Sequence, residues 1–356
     1  MQLSFDHPGP LTELARTHGW IATSDHIDAL SPAGSGNMNV VLRAQLGSGG
    51  TLIFKQSLPF VAKYPQIAAP IDRLNFESEF YKAIATDDQL AAATPEIIGF
   101  DPDSHILCMA DLGAASDLLS LYQQTTTETQ WRPVLQTLLQ WLNRLHQHTL
   151  APDQKDRFAN PAMRQLNHEH IFVIPLQAEN GLTFSTALMD FAAALRNDGQ
   201  IRRNIEELGR LYLAAPSDSM ATSQGCLLHG DFYPASWVRG DDGRLCVIDP
   251  EFCFCGPAEF DVGVMWAHLT FSGLSQADIQ SALSEYQGPD RFCWTTARQF
   301  AAVEIIRRIL GVAQLPWKDA SAAVVDEQKG DWLTWAQAAL RMGEIGDRDF
   351  TGKTRG

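Results

Sequence analysis

Cysteine is scarce and unpaired in this 356-residue chain: six residues, Cys108, Cys226, Cys246, Cys253, Cys255 and Cys293, sit mostly in apolar settings without CxxC spacing. The close pair Cys253-Phe254-Cys255 has the wrong spacing for a zinc knuckle, so the cysteines are expected as small buried hydrophobes. Long apolar runs are also missing. None approaches the roughly 20 residues that span a bilayer, and the opening MQLSFDHPGPLTELARTHGW lacks the basic start and apolar centre of a signal peptide. A cytoplasmic protein with no membrane partner is expected. Positive charge is in short supply, with 27 Lys and Arg against 42 Asp and Glu, a formal charge of −15 and a pI near 5.0. Nothing here neutralises phosphates in bulk, which argues against nucleic acid as a partner. The acidic balance serves solubility and can also attract a cationic substrate. No internal repeat or low-complexity tract appears, and Gly352–Gly356 reads as a frayed end.

What is there is enough chain for two lobes of about 100–200 residues each and one stretch dense in chemistry, Cys226–Asp261. An apolar run delivers His229-Gly230-Asp231, and a second run, Leu245–Ile248, delivers Asp249-Pro250-Glu251. Asp241-Asp242-Gly243 between them has the composition of a hairpin turn, which folds the second run back so that Asp231, Asp249 and Glu251 converge. Three convergent carboxylates suit a hard cation such as Mg²⁺, which takes few protein ligands and completes its shell with substrate phosphates. The chemistry implied is phosphoryl transfer.

Upstream, Leu11–His18 reads as a short helix. A small-residue loop, Gly34-Ser35-Gly36-Asn37, then interrupts two β-prone runs. Such a loop can lay backbone N–H groups over phosphates, although a plain hairpin looks the same. Thr51–Lys55 is the returning strand, and Lys55 at its end can reach the α- and β-phosphates of a nucleotide. The helix Asp72–Ile84 offers Glu77 and Glu79 as ion-pair partners for Lys55. Their spacing puts them on different sides of the helix, and Glu79 is the choice favoured here. Strands over Thr94–Phe100 and His105–Asp111 lead out through Met109-Ala110-Asp111-Leu112-Gly113. This extended exit can offer backbone groups to an adenine edge, with Met109 and Asp111 as the candidates, or serve only as a linker.

From Asp117 the pattern turns helical. Trp131–His148 is strongly amphipathic, with His146 read as a core or capping histidine. Phe158–Leu176 reads as a loop-rich insert whose His168 and His170 lack a third metal ligand. Thr186–Leu213, Val262–Leu269, Gln276–Tyr286 and Phe300–Ala313 read as helices. The last carries adjacent Arg307 and Arg308, of which one is expected in solvent and one paired, a good anchor for substrate oxygens.

Glycine loop, strand lysine, helix glutamate, exit segment, His-Gly-Asp and Asp-Pro-Glu occur in the order of a protein-kinase-like fold, and the wording His229-Gly230-Asp231 resembles the aminoglycoside phosphotransferase and choline kinase superfamily. Within it the chain looks most like the methylthioribose kinases. Their Gly-Asn-x-Asn-x-Val loop is met by Gly36–Val41, their Lys-Gln-x-Leu-Pro by Lys55–Pro59, and their Asp-Arg-x-x-x-Glu-x-Glu by Asp72, Arg73, Glu77 and Glu79. Serine at Ser236, where most of the superfamily has asparagine, and Ile248–Phe252, Gly256-Pro257, Phe260–Gly263 and Ile306–Gly311 also match. The resemblance runs from about Gly34 to Ala313. The chain departs from the subgroup at Tyr233, where histidine is usual, and at Tyr64-Pro65-Gln66, near which a tryptophan is usual.

The resemblance implies an α+β, protein-kinase-like, two-lobed fold, with residues 1–111 as a small β-rich nucleotide-binding lobe and 112–356 as a larger, mainly helical lobe. ATP and Mg²⁺ are the implied cofactors, and a small molecule the implied partner; whether the chain forms a homodimer is left open. Asp231 is the implied base. Gly34, Gly36, Asn37, Lys55, Glu79, Met109 and Asp111 are implied for the nucleotide, Asp249, Glu251 and Ser236 for the metal, and Arg307, Arg308 and Tyr233 for the acceptor. The acceptor expected first is 5-methylthioribose or a related pentose. The alternatives are an aminoglycoside- or choline-like acceptor, or a nucleotide-binding homologue without activity.

Overall fold

The computed structural model describes residues 2–34, 36–123, 128–215, 225–315 and 322–342. Ser35 of the glycine loop and the Gly352–Gly356 end therefore lie outside the described residues. The chain divides into two compact units, residues 1–116 with 237–253, and residues 117–236 with 254–356. A single boundary at residue 111 was expected, but the chain returns to the first unit for one segment. That segment is a hairpin, Trp237–Arg239 paired with Leu245–Val247, and it is tied in by Val247 N–H donating to Ala93 O and Arg244 Nη1 to Ala92 O.

The first unit is built on an antiparallel five-stranded sheet, β1 (Ile27–Pro32), β2 (Val40–Leu46), β3 (Thr51–Gln56), β6 (Ile97–Asp101) and β7 (Ile106–Ala110), in the order β1-β2-β3-β7-β6. A small hairpin, β4 (Phe60–Val61) with β5 (Tyr64–Ala68), follows β3. Helix α1 (Pro8–Thr17), with proline in its first turn where the missing N–H costs nothing, buries Leu11 and Ala15 against Ile27, Leu42, Phe54 and Ile106 of the sheet. Helix α2 (Arg73–Ile84) buries Leu74, Glu77, Tyr81 and Ile84, a 3-4-3 spacing that defines one face. In β3, Lys55 sits between Val41 of β2 and Leu107 of β7.

The second unit is mainly helical. Cys226–Leu228 pairs antiparallel with Phe254–Gly256, so the strand that delivers Asp231 does not pair with the one that delivers Asp249. The Asp241-Asp242-Gly243 turn instead closes the first unit's hairpin. Phe158–Leu176, expected as loop, is helical over Pro161–His168 and continues as a π turn at Glu169–Val173 and a 3-10 turn at Ile174–Leu176. A helix over Ala322–Arg341 had no counterpart among the sequence expectations. All six cysteines are buried and none forms a disulfide, as their apolar settings implied. Among the described residues no helix is long and apolar enough to cross a membrane.

The Ala258–Phe271 helix is buried on every side and packs on Trp294–Leu310. Gly263 permits the contact. A Cβ built there meets Phe300 Cβ at 2.6 Å, Ala297 O at 2.7 Å and Ala301 N at 3.0 Å. Alanine gains about 1 kcal/mol of helix propensity over glycine. Overpacking against backbone that cannot yield costs about 1–3 kcal/mol, which outweighs it. Gly263→Ala is therefore expected to lower the urea midpoint; an unchanged or raised midpoint would show that the two helices separate freely.

Candidate active site

In the first unit, Lys55 is the hub. Its Nζ donates to Glu77 Oε2 at 2.6 Å and to Asp249 Oδ1 at 2.7 Å. Lys55 and Glu77 are buried, whereas the Asp249 side chain is 44% exposed. Burial alone would strip the ammonium of its proton, but Asp249 and Glu77 overcome it and hold Lys55 charged. The favoured partner Glu79 is corrected by this geometry: it projects from the outer side of α2 and pairs with Lys82 at 2.8 Å. Asp249 stands at φ +63°, a left-handed conformation that aspartate tolerates better than most residues, at the entry to the Pro250–Phe252 turn.

Glu251 is held from below. Its Oε2 accepts from Asn39 Nδ2 at 2.8 Å and lies 3.2 Å from Arg73 Nε, which also donates to Asn39 Oδ1 at 2.9 Å. Arg73 is fully buried and spreads its remaining donors over the carbonyls of Leu58, Pro70 and Met38. Burial pushes the Glu251 carboxyl up, opposed by Lys55 and Arg73. The base of the glycine loop, the turn after β3 and Glu251 are thus one hydrogen-bonded unit. Further out, the loop carbonyls of Asn37 and Met38 accept from Lys63 and Ala62. Gly34 has φ +82°, a conformation glycine adopts freely, and a Cβ on Gly36 would meet open space.

Met109 is buried in β7. Asp111 grips Arg43 through both oxygens, at 2.6 and 3.0 Å, and accepts from Gly113 N–H. Its carboxylate is spent on that clamp, so of the groups expected to meet a nucleotide here only the segment's backbone is left.

In the second unit, Asp261 aims the His229-Gly230-Asp231 turn. Its fully buried carboxylate accepts from the backbone N–H of His229 at 2.7 Å and Gly230 at 2.9 Å, and from His146 Nε2 at 3.2 Å. His146 also meets Tyr286 OH at 2.6 Å, which makes it the core histidine expected from its helix-end position. Gly230, at φ +87°, turns the chain so that Asp231 follows. Ser236 Oγ donates to Asp231 O at 3.0 Å, so its hydroxyl braces the loop.

Both arginines face Asp231. Arg308 Nη2 lies 3.3 Å and Arg307 Nη1 3.8 Å from Asp231 Oδ1. One was expected in solvent; instead both are buried, because Glu304 stands three and four residues before them on the same helix face. Arg307 Nη1 reaches Glu304 Oε2 at 3.0 Å and Arg308 Nε reaches Oε1 at 2.6 Å. Burial would raise the Glu304 carboxyl, but the two guanidiniums drive it well below its ordinary range. Asp231 goes the other way: burial raises it, and Arg308 and Arg307 only partly offset the rise. The Arg308 guanidinium also lies 4.6 Å over the Tyr233 ring centroid. Arg307 Nε is buried with no acceptor among the described residues.

Sequence reasoning gave no role to Asn39, Arg73, Tyr122, His268 or Glu304. The signal for Glu304 was present as Glu-x-x-Arg-Arg on a helix; Asn39 and Arg73 lay inside quoted motifs. Among the described residues no three His, Cys, Asp or Glu side chains form a ready metal cage. The donors fit only a cation that takes few protein ligands. Asp249, half exposed and with one oxygen on Lys55, suits that, whereas Glu251 and Ser236 are engaged in bracing.

A model of the phosphotransferase enzyme family matches residues 29–300. Among curated proteins, the chain is 28% identical over 275 residues to the methylthioribose kinase of Citrobacter koseri, covering 74% of this chain and 65% of that enzyme. It is 26% identical over 356 residues to the methylthioribose kinase of a Geobacillus species, covering 87% and 83%. The chain thus spans just under two thirds of the Citrobacter relative's length and more of the Geobacillus one's. Among solved structures, LicA in complex with AMP superimposes with a TM-score of 0.53 at 14% identity, covering 93% of this chain and 96% of that one. Spectinomycin phosphotransferase with ADP and spectinomycin gives 0.52 at 14%, covering 94% and 98%. At such identities the likeness bears on the fold, which is the α+β protein-kinase-like fold expected from the motif order. With the family model matched over most of the length, the chain belongs to the phosphotransferase enzyme family.

Proposed function

We propose that the protein is a small-molecule kinase that transfers the γ-phosphoryl group of ATP to a hydroxyl of a neutral, sugar-like acceptor, with 5-methylthioribose or a related pentose as first candidate. The observation that carries the acceptor class is the charge around Asp231. The acids there are matched by arginines: Glu304 is spent on Arg307 and Arg308, and Asp231 itself lies against both. A cationic amine placed beside two buried guanidiniums meets like charge, whereas a polyol finds hydrogen-bond donors. The names of the curated relatives support the same class.

In this reading Asp231 accepts the proton of the attacking hydroxyl, and Arg308 and Arg307 hold its oxygens in line. Lys55 steadies the α- and β-phosphates, Glu77 keeps it aimed, and the Gly34–Asn37 loop lies over the phosphates. Asp249 would hold Mg²⁺, which when bound neutralises charge building on the phosphates. Glu251 keeps the glycine loop and the Asp249 turn in register.

The test is a steady-state panel of 5-methylthioribose, ribose, choline and spectinomycin with ATP and Mg²⁺. Like-charge contact costs several kcal/mol, so kcat/KM for the sugars should exceed that for choline by about a hundredfold or more. Preference for the amines would overturn the acceptor class. ATP with Mg²⁺ at about 100 times Kd should stabilise the fold by about 2.7 kcal/mol and raise Tm. An unmoved Tm would overturn nucleotide binding itself.

A further inference from the structure

His268 is the one histidine in the Ala258–Phe271 helix, seven residues beyond Asp261, and it is fully buried. Its Nε2 lies 3.2 Å from Glu304 Oε1 and its Nδ1 2.5 Å from Tyr122 OH. We propose that His268, locked by Tyr122, is a positioning residue for the acceptor-binding set: it fixes the Glu304 carboxylate that both arginines share, and thereby sets where Arg308 lies against Asp231. The inference rests on the phosphoryl-transfer reading above.

The hydrogen-bond roles follow from the partners. Ionised Glu304 can only accept, so Nε2 carries the hydrogen and donates it. Nδ1 is then bare and accepts from the Tyr122 hydroxyl, which fixes both the tautomer and the ring angle. Burial, aided by Arg308 and Arg307 and opposed by Glu304, lowers the imidazole to about 4, so at neutral pH His268 is an uncharged donor. That suits the task. A neutral N–H restrains Glu304 without adding a third positive charge to compete with the arginines for it. Glu304 Oε1 also takes Arg308 Nε at 2.6 Å, so the same oxygen that meets His268 sets the guanidinium whose other end reaches Asp231. The Tyr233 ring stands 5.0 Å from the His268 ring and carries Arg308 on its face. Movement of His268 is therefore transmitted to Arg308 by two routes.

The experiment measures acceptor and nucleotide kinetics separately for His268→Ala, His268→Gln and Tyr122→Phe. Loss of one hydrogen bond to a charged group is expected to lower kcat/KM for the acceptor about tenfold in His268→Ala, with the nucleotide KM within about twofold of wild type. Glutamine, whose amide nitrogen can reach the place of Nε2, should restore most of the loss, and Tyr122→Phe should fall between. If the alanine variant does not fold, the glutamine and phenylalanine variants carry the comparison. Long-range ¹⁵N spectra of the wild-type imidazole should show a neutral Nε2–H tautomer at pH 7. Acceptor and nucleotide parameters that move together, glutamine no better than alanine, or an Nδ1–H tautomer would each overturn the proposal. A wild type that phosphorylates no acceptor would overturn the phosphoryl-transfer reading instead, while the tautomer would still decide the contact to Glu304.

Discussion

Asp231→Asn is expected to lower kcat by about 10²–10⁴, the usual worth of a positioned general base, while ATP affinity stays near the wild-type value. The carboxylate follows the Gly230 turn and lies against Arg307 and Arg308, and asparagine keeps its shape while losing its basicity. Retention of a tenth or more of the wild-type turnover would remove Asp231 from the role of base. The pH profile carries a second, independent expectation. Burial raises the Asp231 carboxyl, with Arg308 the largest opposing influence and Arg307 next. Asp231 must be ionised to accept a proton, so kcat/KM should fall on acidification at a pH above the ordinary aspartate range of about 3.9. Removing Arg308 takes away the main opposing charge, so in Arg308→Ala the acid limb should move to still higher pH. A limb that stays put or moves down would mean that it reports another group.

How much of this was legible in the sequence depends on whether a signal was local. His229-Gly230-Asp231, Asp249-Pro250-Glu251 and Lys55 could be read because each is a chemical group at a chain-fixed distance from a turn or strand end. Strand pairing in the same stretch could not. Cys226–Leu228, Trp237–Arg239, Leu245–Val247 and Phe254–Gly256 are each three residues long, too short to carry a period, and they pair one with four and two with three. The choice between Glu77 and Glu79 was legible in principle. Leu74, Glu77, Tyr81 and Ile84 share one face of α2, whereas Phe76, an equally apolar marker, is only half buried. Glu304 was signalled by its spacing to Arg307 and Arg308. His268 showed only as a lone histidine in an apolar run, because its partner Tyr122 is 146 residues away.

Lys55→Met should destabilise the protein by about 4 kcal/mol at pH 7, and by less as the pH falls. The substitution keeps the volume of the side chain but leaves Glu77, fully buried, without its counter-charge. Burial and the nearby Asp249 and Glu251 already pull the Glu77 carboxyl upward, and Lys55 is what opposes them. With the lysine gone, Glu77 can remain buried only by taking a proton. At about 1.36 kcal/mol per pH unit above an unfolded value near 4.3, holding that proton at pH 7 sets the penalty at about 4 kcal/mol. The sign follows from the raised native value: the protonated carboxyl costs nothing below its unfolded pKa, and the cost grows as pH rises toward the native one. The gap between mutant and wild type in urea denaturation should therefore be wide at pH 8 and narrow at pH 5. Adding Glu77→Gln to Lys55→Met should recover most of the stability at pH 8 without recovering activity, because the lysine proposed to hold the phosphates is still absent. A gap independent of pH, or a double variant as unstable as the single one, would mean that the Lys55–Glu77 pair is not what holds β3 against α2.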